Sequence, residues 1–341
     1  MKAAKLHNLT GLIRKLSPAK IWNGIQLISG YYASRITKKP IQWGEPFSLS
    51  IEPTTACNLG CPECPSGLKQ FSRPTGNLRM DLFQKIIDQV SKKLIYLTFY
   101  FQGEPFINKQ FLKMVKYASD KGIFTSTSTN AHFISPKVAD EIVESGLDRL
   151  IVSVDGTTQE TYEMYRYHGT LDKVLEGTAN VIEAKKRLKS NTPEIIFQFL
   201  VVKHNEHQID DLHALAKKMG VDKVALKTAQ IYDYKNGSPL LPSDQKYSRY
   251  KQNPDGTYSI KSKLHNHCWR LWHSAVVTWD GDIVPCCFDK DAKYKMGTLK
   301  DHTFQDIWHD KTYQNFRNSI IQSRQNIDIC QNCTEGSKVW I

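Results

Sequence analysis

The period of hydrophobic and polar positions changes repeatedly between residues 46 and 228. Short apolar or alternating runs predict six strands, at 47–52, 94–101, 123–129, 150–154, 195–202 and 223–227. Between them, apolar residues recur at helical spacing and predict helices at 80–92, 108–121, 136–145, 171–188 and 209–219. Strands that alternate with helices in this way form parallel βα units. Such units close, fully or in part, into a barrel whose active face lies at the carboxyl ends of the strands.

Residues 1–45 precede this alternation and form a basic N-terminal extension. Between residues 9 and 37, apolar side chains recur near helical spacing with arginines and lysines between them. This pattern predicts an amphipathic helix. Such a helix either packs on its own domain or lies on a membrane surface or a partner.

Residues 229–267 lose the alternation and are rich in Tyr, Lys, Asn, Ser and Pro. We interpret them as a linker or lid. Four of its tyrosines are candidates for substrate contact or for ordinary loop packing: Tyr232, Tyr234, Tyr247 and Tyr250.

Composition narrows the partners and the compartment. The 341 residues carry a net charge of +12, which indicates either a basic solvated surface or acidic partners such as nucleic acid, an acidic substrate or an anionic membrane. No long Lys/Arg run is interleaved with aromatics, so nucleic acid is not expected. Residues 1–20 lack the apolar segment of a secretory signal, and no stretch approaches the ~20 apolar residues of a membrane span. Together with clustered cysteines, this predicts a reducing, cytoplasmic location.

Three cysteines directly follow the first predicted strand, in the segment Cys57-Asn-Leu-Gly-Cys61-Pro-Glu-Cys64. Three thiolates on one loop suit three irons of a [4Fe–4S] cluster and leave the fourth iron open to a small molecule. A zinc site and a disulfide are the alternatives. Zinc usually takes four ligands, and an odd, tight trio fits a disulfide framework poorly.

This spacing after a strand resembles that of the radical S-adenosylmethionine (SAM) enzymes. The resemblance implies an α/β fold, a partial (β/α)6 TIM-like barrel over residues 46–228. It also implies that the cluster held by Cys57, Cys61 and Cys64 reductively cleaves SAM to methionine and a 5′-deoxyadenosyl radical. That radical would then take a hydrogen atom from the substrate.

Further motifs at predicted strand ends resemble the SAM contacts of this family. Gln102-Gly103-Glu104-Pro105 resembles its GGEP motif, in which Gly103 and Glu104 would contact the SAM amino group. The other implied cofactor contacts are Ser128, Asn130, Ser153, Asp155 and, for the SAM carboxylate, Arg166. The alternative is that these polar residues cap helices or, for Arg166, lie on the surface. Two positions depart from the family pattern, Gln102 in place of a glycine and Glu63 in place of an aromatic residue near adenine.

The last quarter of the chain, residues 268–341, holds the other five cysteines. Two apolar runs flank Asp280-Gly281 and predict a hairpin that brings Cys268 close to Cys286. The spacing resembles the SPASM extension of radical SAM enzymes, which implies one auxiliary [4Fe–4S] cluster on Cys268, Cys286, Cys330 and Cys333. Cys287 is left over as a buried thiol, an alternative ligand or a hydrogen-atom donor. Zinc is the alternative for this tail.

An auxiliary cluster that accepts an electron from the substrate radical would make the reaction a net oxidation. We therefore expect a maturase that dehydrogenates or cross-links a peptide or protein. The alternatives are a dehydrogenase of a small alcohol or sugar, and a non-catalytic zinc or iron–sulfur scaffold. The enzyme would need a reducing partner such as flavodoxin or ferredoxin.

Overall fold

A nine-stranded sheet organises the protein. The computed structural model describes residues 11–339. Its strands are β1 (Ser48–Ile51), β2 (Tyr96–Thr98), β3 (Phe124–Thr129), β4 (Arg149–Ser153), β5 (Glu194–Val201), β6 (Lys223–Thr228), β7 (Tyr250–Gln252), β8 (Tyr258–Ile260), β9 (Ser274–Val277), β10 (Asp282–Val284) and β11 (Gly297–Thr298). The large sheet has the order β11-β10-β9-β1-β2-β3-β4-β5-β6, and β7 pairs with β8.

Strands β1 to β6 are parallel neighbours in chain order. The α-helices of residues 18–339 are Pro18–Thr37, Pro65–Leu68, Met80–Val90, Phe111–Asp120, Pro136–Glu144, Gln159–Glu163, Leu171–Arg187, Ile209–Met219, Arg270–His273, Phe304–His309, Lys311–Ser323 and Asp328–Gln331. Helices connect the successive strands, so the predicted α/β fold with a partial six-stranded TIM-like barrel is confirmed.

The helices pack because their apolar positions lie on one face. In Met80–Val90, the buried residues Phe83, Ile86, Ile87 and Val90 follow helical spacing. The helix Ile209–Met219 ends at Gly220, which takes the left-handed conformation (φ 81°) that the sequence signal predicts.

The C-terminal residues extend the barrel sheet. Strand β10 pairs antiparallel with β9, which confirms the predicted hairpin around Asp280-Gly281. Strand β9 in turn lies parallel to β1, with Leu49 opposite Ala275 and Ile51 opposite Val277. The cysteine-rich unit is therefore joined to the strand that leads into Cys57.

Part of the 229–267 segment is folded. Its hairpin β7–β8 packs with a small core that includes Ile231 and the fully buried Tyr250. Tyr234 stacks on Tyr250 with ring centroids 4.6 Å apart. These two tyrosines pack against each other, whereas Tyr232 is 49% exposed.

Helical structure in the predicted stretch 9–37 is interrupted: residues 11–14 are helical, and a long helix follows after a break at 15–17. The long helix begins at Pro18, because the Ser17 side chain accepts a hydrogen bond from the Lys20 N–H and Pro18 sits in its first turn. Residues 9 and 10, like the rest of 1–10 in the predicted extension, lie outside the described residues. No helix within residues 11–339 is long and apolar enough to cross a membrane.

Candidate functional site

The Cys57–Cys64 loop lies at the carboxyl end of β1 and closes on itself. The Cys64 N–H donates to the Cys61 carbonyl (3.3 Å), and Gly60 N–H donates to the Tyr167 carbonyl (3.0 Å). A Cβ on Gly67 would lie 2.6 Å from the Cys61 nitrogen, so only glycine fits there. Burial raises the pKa of Cys57 to about 11 and also raises that of Cys61.

Donors surround the sulfurs of this loop. The Leu59 N–H donates to Cys57 Sγ (3.5 Å), and Arg166 Nη1 donates to Cys61 Sγ (3.6 Å). Asn130 Nδ2 lies 4.0 Å from Cys57 Sγ. N–H donors aimed at sulfur stabilise thiolates bound to an iron–sulfur cluster.

The loop after β2 packs tightly against the approach to Cys57. Gly103 has a φ of +76°, and a Cβ there would lie 2.3 Å from the Thr54 carbonyl oxygen. Its N–H donates to Ser66 Oγ (2.8 Å), while the Glu104 N–H donates to the Ala56 carbonyl (2.8 Å). The Gly103-Glu104 pair therefore fixes this loop to the cysteine loop.

The Glu104 carboxylate is buried and fully hydrogen-bonded. It accepts from Thr129 Oγ1 (2.7 Å), the Asn130 N–H (2.8 Å) and the Phe106 N–H (3.3 Å). Burial raises the pKa of Glu104 to about 7, against the opposing effect of these hydrogen bonds. Glu104 thus connects the end of β2 to the end of β3.

Asp155 and Arg166 form an ion pair after β4. Arg166 Nε donates to Asp155 Oδ2 (2.5 Å), and the other carboxylate oxygen accepts from the Leu200 N–H (2.6 Å). Burial alone would lower the pKa of Arg166, but the neighbouring Asp155 carboxylate and Cys61 sulfur outweigh this effect. The pKa of Arg166 is therefore raised above its usual value. Arg166 therefore stays charged and bridges the end of β4 to the cysteine loop.

The other predicted cofactor contacts lie at neighbouring strand ends. Asn130 donates from Nδ2 to Asn58 Oδ1 (2.8 Å) in the cysteine loop. Ser128 and Ser153 lie near the ends of β3 and β4, and their hydroxyls make no hydrogen bond within residues 11–339. Both remain available to a ligand, at the same end of the sheet as the Cys57–Cys64 loop.

The C-terminal cysteines also gather. Cys286 lies close enough to Cys268, Cys287 and Cys333 to interact with them electrostatically, and Cys330 interacts in the same way with Cys268 and Cys333. Arg324 Nη2 donates to Cys333 Sγ (3.2 Å), and Arg270 Nη1 lies 3.9 Å from Cys287 Sγ. Neither arginine was predicted, because no sequence motif connects a helix-borne arginine to a particular cysteine.

Cys286 and Cys287 interact directly. The interaction between the two side chains raises the pKa of Cys286 and lowers that of Cys287, and the Arg270 guanidinium also lowers the pKa of Cys287. Cys287 also lines a cavity of about 480 Å³ on the inner side of the sheet, together with Ser50, Thr98 and Tyr100.

One lysine interacts with both cysteine groups. Lys290 lies within electrostatic range of both Cys64 and Cys287, and its ammonium stands 4.7 Å from the centroid of the Tyr232 ring. The Tyr232 N–H donates to Glu63 Oε2 (3.0 Å). Glu63 thus binds the 229–267 segment across the mouth of the barrel, a role that the sequence did not reveal.

The donor sets fit iron–sulfur clusters. As they stand, no three or more His, Cys, Asp or Glu side chains of the described chain are gathered closely enough to hold a metal ion. A [4Fe–4S] cluster spreads its thiolates over different irons, and it favours the N–H and guanidinium donors that lie beside both cysteine groups. Cys57, Cys61 and Cys64 would hold one cluster, and Cys268, Cys286, Cys330 and Cys333 the other.

Comparisons with known families agree with this architecture. The profile of the radical SAM superfamily matches residues 51–216, and that of the SPASM iron–sulfur cluster-binding domain matches residues 268–334. The chain belongs to the radical SAM superfamily and carries a C-terminal SPASM domain. Its cofactors are SAM, a SAM-cleaving [4Fe–4S] cluster and an auxiliary cluster.

Two curated relatives span most of the chain. The tungsten-containing aldehyde ferredoxin oxidoreductase cofactor-modifying protein of Pyrococcus furiosus is 24% identical over 84% of this chain and 86% of its own. The mycofactocin maturase MftC of Mycobacterium ulcerans is 25% identical over 84% of this chain and 80% of its own.

Solved structures share the fold. Streptococcus suis SuiB bound to S-adenosylmethionine has a TM-score of 0.63 at 15% identity, covering 90% of this chain and 76% of SuiB. BtrN in complex with AdoMet and 2-DOIA has a TM-score of 0.53 at 19% identity, covering 86% and 95%.

Proposed function

We propose that this enzyme is a maturase that carries out a net oxidation, a dehydrogenation or a cross-link, on a peptide or protein. The observation that carries the proposal is the position of Lys290, within reach of both Cys64 and Cys287. A substrate held beside Lys290 would lie near both cluster sites. The cluster and SAM, when bound, supply a 5′-deoxyadenosyl radical that removes a hydrogen atom from the substrate.

The residues of the chain have separable roles in this proposal. Cys57, Cys61 and Cys64 hold the SAM-cleaving cluster. Arg166 orients the cofactor carboxylate, and it keeps its own orientation through Asp155. The free hydroxyls of Ser128 and Ser153 and the amide of Asn130 bind the rest of SAM, while Gly103 and Glu104 position the loops around it. Cys268, Cys286, Cys330 and Cys333 would hold the auxiliary cluster, which would supply an acceptor for the electron that the substrate radical gives up as it loses a proton.

The names of the relatives favour a peptide substrate. One relative is a maturase, and another solved structure is SuiB bound to its precursor peptide SuiA. Lys290 adds a preference for an acidic group near the reacting position, because its ammonium makes no hydrogen bond or ion pair within the described chain. A net charge of +12 further suits an acidic electron donor such as flavodoxin or ferredoxin.

An anaerobic assay tests the proposal. The reconstituted protein should hold about eight irons per chain and form 5′-deoxyadenosine from SAM and reductant. Cys61→Ala should abolish cleavage and keep the auxiliary iron, whereas Cys287→Ala serves as the matched cysteine control and should keep both clusters. Persistent cleavage in Cys61→Ala contradicts the assignment of the active cluster.

The substrate class needs a second experiment. Co-expression with a small open reading frame from the neighbouring genes, followed by mass spectrometry, should detect a peptide that has lost two hydrogen atoms. Lys290→Met should lower the yield most for peptides with acidic residues. Oxidation of an alcohol or sugar with no change in any peptide would favour the small-molecule dehydrogenase instead.

A further inference from the structure

The helix Pro18–Thr37 has two opposite faces, one buried against the domain and one apolar and exposed to solvent. One face, centred on Leu27 and Tyr31, is buried against the domain. Tyr31 packs edge-on against Trp269 and Trp272, with ring centroids 5.2 and 5.6 Å away. This packing fixes which side of the helix faces solvent.

The solvent side carries a stripe of large apolar side chains. It consists of Ile21 (51% exposed), Trp22 (62%), Ile25 (48%), Tyr32 (44%) and Ile36 (81%). Their spacing follows the helical period, so they form one continuous face. Within residues 11–339, seven of the fourteen exposed large apolar side chains lie between Ile13 and Trp43.

Positive charge flanks this stripe. The first 44 residues contain eight Lys and Arg and no Asp or Glu. Arg35 and Lys38 line a cavity of about 590 Å³ beside Ile36, whose lining includes His265 and no carboxylate. The exposed face is therefore apolar in its centre and cationic at its edge, which is the pattern that binds an anionic lipid surface.

The position of the helix suits membrane docking. Lys20 Nζ donates to the Gly122 carbonyl (2.7 Å) just before β3, and Asn23 Nδ2 donates to the Glu45 carbonyl (2.7 Å) just before β1. The helix thus covers the amino ends of the barrel strands, at the opposite end from the Cys57–Cys64 loop. A surface bound there would leave the mouth of the barrel open to substrate and reductant.

We propose that the stripe Ile21–Trp22–Ile25–Tyr32–Ile36 docks the enzyme on an anionic lipid bilayer. Charge complementarity favours lipid over a second copy of the chain, since two such basic faces would repel each other. The apolar side chains enter the interface between headgroups and acyl chains, and Arg35 and Lys38 pair with lipid phosphates.

Vesicle sedimentation of the full-length, cluster-loaded protein tests this. The protein should sediment with phosphatidylcholine vesicles that contain phosphatidylglycerol, and much less with phosphatidylcholine alone or in high salt. Ile36→Ser should weaken binding about tenfold. Leu188→Ser, which removes an exposed leucine (37%) elsewhere, is the matched control and should bind normally. If Ile36→Ser loses its iron, the double variant Trp22→Ser/Ile25→Ser tests the stripe independently, and it should also bind the vesicles less tightly.

Three results would overturn the proposal. The first is a protein that does not sediment with anionic vesicles. The second is an equal loss of vesicle binding in Ile36→Ser and Leu188→Ser. The third is a dimer in analytical ultracentrifugation that Ile36→Ser dissociates, which would assign the stripe to contact between copies of the chain.

Discussion

Replacing Gly103 with alanine tests whether the loop after β2 holds the cysteine loop in place. A Cβ at Gly103 would lie 2.3 Å from the Thr54 carbonyl and 2.9 Å from that of Ala56. Gly122 is the matched control, because it has a similar φ of +70° and no atom within 4 Å of its Cβ position. Both substitutions strain the backbone equally, and only Gly103→Ala adds a collision.

The left-handed conformation costs an alanine about 1–2 kcal/mol at either position. Forcing a methyl into a packed site adds about 1–3 kcal/mol at Gly103 alone. Because each kcal/mol lowers the melting temperature of a large domain by about 2 °C, Gly103→Ala should melt about 2–6 °C below Gly122→Ala. The collision also displaces Glu104 from the Ala56 carbonyl, one residue before Cys57.

The assay is anaerobic thermal unfolding of the reconstituted variants, together with equilibrium binding of SAM by the oxidised protein. We expect weaker SAM binding and a lower melting temperature for Gly103→Ala. If the two variants melt together and bind SAM equally, the close packing at Gly103 does not support the site and the reasoning is refuted.

Three more predictions concern ionisable groups that are buried in the fold. Arg73→Met leaves the fully buried Glu52 (0% exposed) without its ion-pair partner, so it should lower the free energy of unfolding by about 3 kcal/mol. Arg79→Met is the control, because the side chains of the Arg79–Asp81 ion pair are 79% and 65% exposed, and it should cost almost nothing. Equal losses in thermal unfolding would contradict this. Arg166→Lys keeps the charge but cannot contact both Asp155 and the cysteine loop, so SAM binding should weaken about tenfold at unchanged iron content; unaltered affinity would argue against a cofactor role. Burial lowers the pKa of His273 to about 3, so this histidine stays neutral in the folded state, while in the unfolded chain it gains a proton below pH 6.5. The free energy of unfolding should therefore be about 2 kcal/mol lower at pH 5 than above pH 6.5. His273→Phe should remove this part of the loss, measured by thermal melting at both pH values.

Sequence pattern predicted the local structure well. The strand before Cys57 and the helix ending at Gly220 depend on neighbouring residues, which periodicity and capping rules describe directly. The cysteine loop was predictable because its three cysteines are close in sequence. The break at Ser17-Pro18 was missed because the apolar spacing continues across it, although Ser and Pro are themselves a helix-start signal.

Contacts between distant segments were not predictable. Nothing in β9 indicates that it pairs with β1, because alternation reveals which face of a strand is buried and not which strand lies beside it. Lys290 is likewise an ordinary lysine in the sequence, and only the fold brings it near both Cys64 and Cys287. The bonds from Glu104 to Thr129 and the Asn130 backbone depend in the same way on the alignment of two strand ends.

The parallel pairing of β1 with β9 has a consequence for attempts to divide the protein. A truncated chain that ends before residue 268 would leave the backbone of Ser48–Ile51 as an open sheet edge, with unpaired N–H and C=O groups. Such edges recruit other chains, so the isolated barrel should aggregate even if each of its helices forms. Exchange of the tail between relatives would succeed only if the incoming segment brings its own replacement for Ser274–Val277.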